Sequence, residues 1–227
     1  MRFPILFRRR QVWLPTLWGW LAMLAALAAT VLLLGFNAYA VLAPWQPAHG
    51  PDGAGARTLV VEGWIDGGEL LQTVAVVRAG RYERVLTTGG AIDPSFDPLG
   101  WHTHARRAAA YLRDNGVTGV PVIAVETPPS LQDRTYLGAV QVREWARRSG
   151  LALEAIDLLS NGVHMRRSRT LYRMALGDSV EVGAIAARPV EYDAQRWWRT
   201  SAGVKATMGE TLSLAWTTCC FWPSPPR

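Results

Sequence analysis

The sequence predicts an α/β protein with a mainly parallel sheet and helices on both faces, preceded by one N-terminal transmembrane helix. Short β-branched runs alternate with segments of helical spacing, which is typical of parallel strands joined by right-handed crossovers. The 227 residues are 49% hydrophobic, which suffices for one sizeable core. A long segment near the N-terminus carries no charge, and this predicts the membrane span.

Composition divides the first 56 residues into three parts. Residues 1–15 form a basic tip that contains four arginines. Residues 16–43 are almost entirely apolar, and residues 17–38 would span about 33 Å as a helix, enough to cross a bilayer. Residues 44–56 are rich in proline and glycine and are predicted to be a linker. Because the arginines precede the span, the N-terminus is predicted to be cytoplasmic and the remainder extracytoplasmic.

Two observations qualify this segment and the overall charge. Ala38-Tyr39-Ala40 is similar to a small-x-small cleavage site, so a cleaved signal peptide is the alternative to a permanent anchor. The net charge of +6 comes largely from the tip: removing its four arginines from 24 basic residues leaves 20 against 18 acidic ones. A field of only +2 does not favour nucleic acid, and we expect no nucleic-acid partner.

Residues 57–216 are predicted to form the α/β domain. Strands are expected at residues 58–61, 85–88, 121–125, 153–159 and 179–187. Helices are expected at residues 66–80, 102–115, 134–148, 165–176 and 197–216, with Asp66 as the N-cap of the first. Residues 217–227 form a tail containing Cys219 and Cys220. Neighbouring cysteines rarely bridge one another, so we expect free thiols or an intermolecular disulfide.

The most informative stretch is residues 158–168, where a predicted strand, an Asn-Gly turn and a basic helix follow one another. Ligands of parallel sheets lie beyond the carboxyl ends of the strands, where helix N-termini attract anions. His164 can carry a proton near neutral pH, and Arg166 and Arg167 offer donor forks that suit phosphate or carboxylate. Together with Ser168 these residues predict an anion site. A solvated helix face with His164 as a packing residue would give the same pattern.

Two acidic residues are expected at the same sheet edge. Glu62 follows the first strand of the domain and Glu126 ends the third. Nearby carboxylates raise the pKa of one partner, which suits acid/base chemistry. Glu62, Glu126 and His164 are therefore the candidate catalytic residues. The alternative is that the two carboxylates are structural partners of arginines.

Four further residues are candidates for ligand binding. Gly89 and Gly90 follow a strand and permit close backbone approach to a ligand, although an ordinary tight turn has the same sequence. Arg134 and Thr135 begin a helix, where they can hold an oxyanion or act as simple caps.

Other kinds of site are not supported. His102 and His104 diverge at i and i+2, and no third ligand completes a metal set. There is no G-x-G-x-x-G or G-x-S-x-G motif. No metal and no cofactor is predicted.

Several loops together resemble the ElyC/SanA/YdcF family of bacterial envelope proteins. The resemblance covers residues 58–216 and rests on residues 60–64, 87–90, 126–130, 134–136, 164–168 and 197–210. It implies a Rossmann-like domain, often behind one membrane span, in cell-wall or lipid-carrier metabolism at the bacterial plasma membrane. One element departs from the family: its Asn-Thr-Tyr-Glu-Asn-Ala reads Arg134-Thr135-Tyr136-Leu137-Gly138-Ala139 here, a change that bears on ligand identity.

Three functions are compatible with this sequence. The first is a membrane-anchored periplasmic domain that binds, and processes, an anionic phosphate-bearing envelope precursor. The second is a non-catalytic module that recruits or regulates envelope-synthesis proteins. The third is a binder of a nucleotide-like ligand such as S-adenosylmethionine, which the resemblance permits and no motif requires.

Overall fold

The computed structural model describes residues 14–50, 55–80 and 82–223, and the chain forms two compact units, Met1–Asn37 and Ala38–Arg227. Most of the predicted basic tip, and residues 51–54 of the predicted linker, lie outside the described residues. The first helix, α1, is Leu17–Leu42. Among the residues that the structure describes, no helix is both long enough and apolar enough to cross a membrane.

The second unit contains a six-stranded sheet in the order β1-β6-β5-β2-β3-β4. Its strands are Trp45–Gln46 (β1), Thr58–Glu62 (β2), Arg84–Gly89 (β3), Val122–Glu126 (β4), Ala155–Asn161 (β5) and Glu181–Ala187 (β6). Its other helices are Gly67–Ala79 (α2), His104–Asp114 (α3), Arg134–Arg148 (α4), Met165–Leu176 (α5) and Ser201–Cys220 (α6). Strands β2 to β6 are parallel, and only the β1–β6 pair is antiparallel. The predicted mainly parallel α/β fold is confirmed.

Alternate residues of the strands feed two cores, one on each face of the sheet. On one face Leu59 and Val61 pack with Leu112 of α3 and with α2. On the other, Val60 and Leu158 pack with α4 and α5. Strands buried on both faces are expected in a parallel sheet covered by crossover helices. The arrangement is compatible with the Rossmann-like domain that the resemblance implies.

The segment predicted as a linker contains a strand. Trp45 and Gln46 pair with Ile185 and Ala184 of β6. Beyond them, the Ala48 N–H donates to Asp157 Oδ1 at 2.7 Å. The partners of this segment lie more than 100 residues away in sequence, so its proline-rich composition gave no sign that it is bound to the sheet.

The closing helix differs from the expected residues 197–216. Residues Ala194–Arg199 form a 3-10 helix, and α6 begins only at Ser201 and continues to Cys220. The break has a local cause, because the Thr200 side chain accepts from the Gly203 N–H at 3.1 Å and caps the new helix.

The expectation for the two cysteines was wrong. Cys219 and Cys220 are joined to each other in a disulfide. They are the last two residues of α6, where no further helical turn constrains the backbone. The sequence alone did not show that the two cysteines lie at the end of a helix.

Candidate functional site

The candidate site lies where the chain reverses its direction across the sheet. Strand β2 is followed by α2 and its neighbour β3, whereas β5, on the other side of β2, is followed by α5 and β6. The loops after β2 and β5 therefore diverge, and this leaves a crevice at their carboxyl ends. A cleft of about 1470 Å³ occupies that position, and Glu62, Thr88, Gly89 and His164 are among the residues that line it.

Glu62 forms the buried floor of the cleft. Its side chain is only 3% exposed, and Oε2 accepts hydrogen bonds from the Ser160 and Ser168 hydroxyls, the latter at 2.8 Å. Strand register explains the first contact, because Val61 lies opposite Leu159 and the next residues of β2 and β5 are therefore adjacent. Two hydroxyl donors stabilise the buried carboxylate.

His164 lies beside Glu62, in a short 3-10 turn between β5 and α5. Its Nε2 is 3.8 Å from Glu62 Oε2 and 3.5 Å from Thr135 Oγ1. Its Nδ1 is 2.9 Å from Glu210 Oε1, and its ring meets the Trp64 ring edge-on at 4.8 Å. Nδ1 also lies 2.9 Å from Arg167 Nη2, so the guanidinium and the Glu210 carboxylate meet the same ring nitrogen. Nε2 is the nitrogen that faces Glu62 and Thr135.

Glu210, from α6, holds His164 and Arg167 together. Arg167 Nε donates to Glu210 Oε2 at 2.8 Å, and Arg167 Nη2 donates to Oε1 at 3.1 Å. Burial opposes ionisation of Glu210, but the hydrogen bonds from His164 and Arg167 outweigh it and lower the pKa of this carboxyl to about 2. Glu210 is therefore ionised at neutral pH and neutralises Arg167.

Gly89 and Gly90 form the turn after β3 and line the cleft. A Cβ on Gly89 would meet the His104 Cβ at 2.6 Å, and the His104 N–H donates to the Gly90 carbonyl at 2.9 Å. The glycines thus bring the start of α3 against β3, and through it His104 to the cleft wall. Burial, followed by the charges of Arg107 and Arg134, lowers the pKa of His104.

The start of α4 forms another part of the wall. Asp133, the N-cap residue, is in the left-handed region at φ 53° and makes no side-chain cap. Residues 133–136 all line the cleft. Within the described part of the chain, the Arg134 side chain forms no hydrogen bond or ion pair, although its charge contributes to the lowered pKa of His104. An uncapped helix start beside an unneutralised guanidinium is suited to an anion.

The structure separates two predicted residues from the others. Glu126 does not share the cleft with Glu62; it pairs with Arg106 at 2.8 Å on the surface. Arg166 is exposed and donates to the Val41 carbonyl at 3.2 Å. Both departures follow from direction: neighbouring positions on a strand or helix point to different faces. Ser168 is buried and touches Glu62 rather than open cleft.

Sequence reasoning missed several members of the site. Ser160 ends an apolar run and Trp64 follows a strand, and neither carried a motif. Glu210 had a usable signal, because it is the only acidic residue between Ser201 and Cys220. A single carboxylate in a helix with only one other charged residue is a candidate for a buried charge that needs a cationic partner.

The arrangement can bind an anion and move a proton. Glu62 Oε2 lies 3.8 Å from His164 Nε2, and Glu210 contacts the ring from the other side, an arrangement that would suit acid/base chemistry. Within the described residues, no group of three or more His, Cys, Asp or Glu side chains is placed to hold a metal ion.

Comparison with known proteins does not assign this site to a family. The chain matches no family model, no curated protein and no solved structure. The resemblance to the ElyC/SanA/YdcF family therefore stays a prediction.

Proposed function

We propose that this chain is a membrane-anchored extracytoplasmic protein of the bacterial cell envelope whose cleft binds an anionic, phosphate-bearing precursor of peptidoglycan or lipid-carrier metabolism. The observation that carries the binding proposal is the uncapped start of α4, with Arg134 beside it in the cleft and without a partner among the residues that the structure describes. The envelope assignment rests on the sequence resemblance over residues 58–216.

The charges within the cleft favour α4 over α5 as the site of the proposed anion. Arg167 is already neutralised by Glu210, and its fork is occupied by that carboxylate. Arg134 has no such partner among the described residues, and the first N–H groups of α4 lie next to it. A phosphate placed here would receive backbone donors, a guanidinium and the favourable end of the helix dipole.

Proton transfer is the chemistry that the neighbouring groups support. His164 Nε2 lies 3.5 Å from Thr135 Oγ1, at the same end of α4, so an anion bound there would be within reach of the imidazole. Glu62 would accept the proton or stabilise the imidazolium.

A non-catalytic binding module is the second candidate. Ser160 and Ser168 are fully buried and do not line the cleft, so a ligand in the cleft does not reach either hydroxyl as a nucleophile, although both donate to Glu62. This observation favours binding over acyl or phosphoryl transfer to serine. A recruiting module for envelope-synthesis proteins would need the same cleft without turnover.

The membrane anchor is carried by the sequence rather than by the structure. The 26 residues of α1 include no Asp, Glu, Lys or Arg, and four arginines precede them. Large side chains such as Leu24, Leu27 and Leu33 are exposed along it. A reporter that is active only outside the cytoplasm, fused after Gly55, should be active; activity of a cytoplasm-only reporter at that junction would contradict the anchor and its orientation.

Arg134→Gln tests the binding site. In detergent, a short polyprenyl phosphate should raise the melting temperature of the full chain and bind the variant roughly ten- to a hundredfold more weakly, because one desolvated charge-assisted contact is worth about 1.5–3 kcal/mol. Arg148→Gln removes an exposed charge from the far end of the same helix and is the matched control. Equal binding by wild type and Arg134→Gln would show that the anion does not sit at α4.

His164→Gln separates catalysis from binding. A general acid/base role predicts nearly unchanged ligand affinity with turnover lowered by about 10²–10⁴-fold. A binding role predicts that affinity and stability fall together without a separate rate effect. Melting curves must accompany the assay, because Gln also loses contacts to Glu210.

A further inference from the structure

Helix α6 differs from an ordinary surface helix in which residues it turns toward the domain. The side that faces the domain carries small or polar residues, of which Gly203, Thr207 and Thr217 are buried. A side chain at Gly203 would collide with the Trp197 backbone, so this position is required for close packing. Glu210 lies on the same side and reaches His164 and Arg167.

The outward side of α6 carries the large apolar residues. Val204, Met208, Leu212 and Trp216 recur at every fourth position and are 38–69% exposed. On a helix these four residues, called here the α6 stripe, extend over about 18 Å within an arc of roughly 120°. A surface helix normally turns such residues inward and exposes its polar ones. The stripe therefore fits an apolar environment better than water.

Three exposed basic residues lie at the N-terminal end of the stripe, and the exposed Glu191 and Asp193 precede them in the chain. Lys205 is exposed on α6, and Arg196 and Arg199 are exposed in the turn before it. The single acidic residue of α6, Glu210, is turned inward and paired. Exposed apolar residues with flanking basic ones are the combination that binds an anionic lipid surface, since the apolar groups enter the acyl boundary while the cations meet headgroups.

The α6 stripe is continuous with the mouth of the cleft. Leu212 and Trp216 belong to the stripe and also line the cleft. Two further exposed apolar residues, Phe96 and Leu131, line the cleft as well. A ligand with an apolar tail could thus pass from lipid to the acid/base pair without exposing that tail to water.

We propose that the α6 stripe docks on an anionic lipid bilayer, so that the cleft takes an amphiphilic ligand directly from the membrane. This rests on the proposed function and deepens it, because it gives the bound anion an apolar tail and a route of entry. A second copy of the chain is a poorer occupant: four side chains supply far less than the 20–30 residues per side of a standard protein interface.

The test measures lipid contact in the full-length chain reconstituted into vesicles that contain phosphatidylglycerol. In a Cys219→Ser/Cys220→Ser background, Met208→Cys carries an NBD fluorophore. Leu71→Cys, a comparably exposed apolar position on α2, is the matched control. Nitroxide-labelled lipids should quench the label at position 208 and not at 71, and quenching at 208 should weaken in phosphatidylcholine vesicles and in an Arg196→Gln/Arg199→Gln/Lys205→Gln variant.

Each outcome decides the proposal. Quenching at position 208 that is no stronger than at position 71 overturns the proposal. So does a label at position 208 that is shielded from water but transfers energy only to labels on other copies of the chain, because the stripe would then contact protein and not lipid. Alkaline carbonate extraction of the same vesicles tests the anchor separately. A chain that is extracted yet quenched at 208 before extraction refutes the anchor and retains the stripe; a chain that resists extraction without quenching retains the anchor and refutes the stripe.

Discussion

Two buried carboxylates, at opposite ends of the sheet, have different surroundings. Glu62, at the end of β2, accepts two serine hydroxyls and faces His164 across an open cleft. Asp157, near the start of β5, accepts the Ala48 N–H at 2.7 Å and the Tyr82 hydroxyl at 2.8 Å. Both are almost fully buried.

The difference lies in what each carboxylate adjoins. The partners of Asp157 are a backbone amide and a tyrosine, whose pKa is raised by burial and by Asp157 itself. Neither partner titrates near neutral pH. Glu62 adjoins a histidine and a cavity, so it can exchange a proton with a ligand. Burial of an acid is thus insufficient to indicate a site; a titratable neighbour and open space are needed as well.

The largest expected effect on stability comes from removing Asp157, the carboxylate near the start of β5. Asp157→Ala leaves the buried Ala48 N–H and the half-buried Tyr82 hydroxyl without an acceptor, and we expect a loss of stability on the order of 4 kcal/mol, since each orphaned donor costs about 1–3 kcal/mol. Chemical denaturation of the detergent-solubilised chain measures this loss. Asp157→Asn keeps one acceptor and should lose less.

The same comparison predicts the opposite for Glu62. Glu62→Gln retains an acceptor for the serines, so the stability of the chain should change by about 1 kcal/mol or less, while the carboxylate that faces His164 Nε2 is lost. Folded Asp157→Ala should bind the phosphate ligand as wild type does. Glu62→Gln should have lower turnover than wild type, if wild type turns over a ligand. Unaltered turnover in an active preparation of Glu62→Gln would remove the functional distinction between the two ends.

The next prediction concerns the contribution of Glu210 to stability at low pH. Its pKa is about 2 in the folded chain and near 4.5 when unfolded, so its ionised form contributes stability above about pH 4.5 that is lost as the pH falls through 2. A gap of this size corresponds to on the order of 3 kcal/mol. The stability difference between wild type and Glu210→Gln should therefore shrink from pH 5 to pH 2. A constant difference across that range would mean that the pairing with His164 and Arg167 does not stabilise the fold.

The smallest effect is expected at Glu126, which sequence reasoning placed in the site. Its ion pair with Arg106 is exposed, and such pairs are worth at most about 1 kcal/mol. Glu126→Gln and Arg106→Gln should each change the melting temperature little and leave polyprenyl-phosphate binding intact. If Glu126→Gln weakened that binding as much as Arg134→Gln does, Glu126 would belong to the binding site after all.

The sequence by itself determined the order of strands and helices in the domain. Helices α4 and α5 span the predicted residues, because their hydrophobic periodicity and the ends marked by Gly150 and Gly177 are local properties. The placement of Glu62, Gly89, Gly90 and His164 at one sheet edge also followed from the sequence, since each lies at the end of a strand or in the turn that follows it, and the carboxyl ends of parallel strands share an edge.

Only the tertiary structure decided which of those residues meet. Whether Glu126 or Glu210 approaches His164 depends on side-chain direction and on the docking of α6, which brings together positions 46 residues apart. The edge strand Trp45–Gln46 is likewise defined by a partner strand more than 100 residues away. Local sequence encodes backbone conformation, whereas these contacts arise from packing between distant elements, which leaves no periodic signal in either segment.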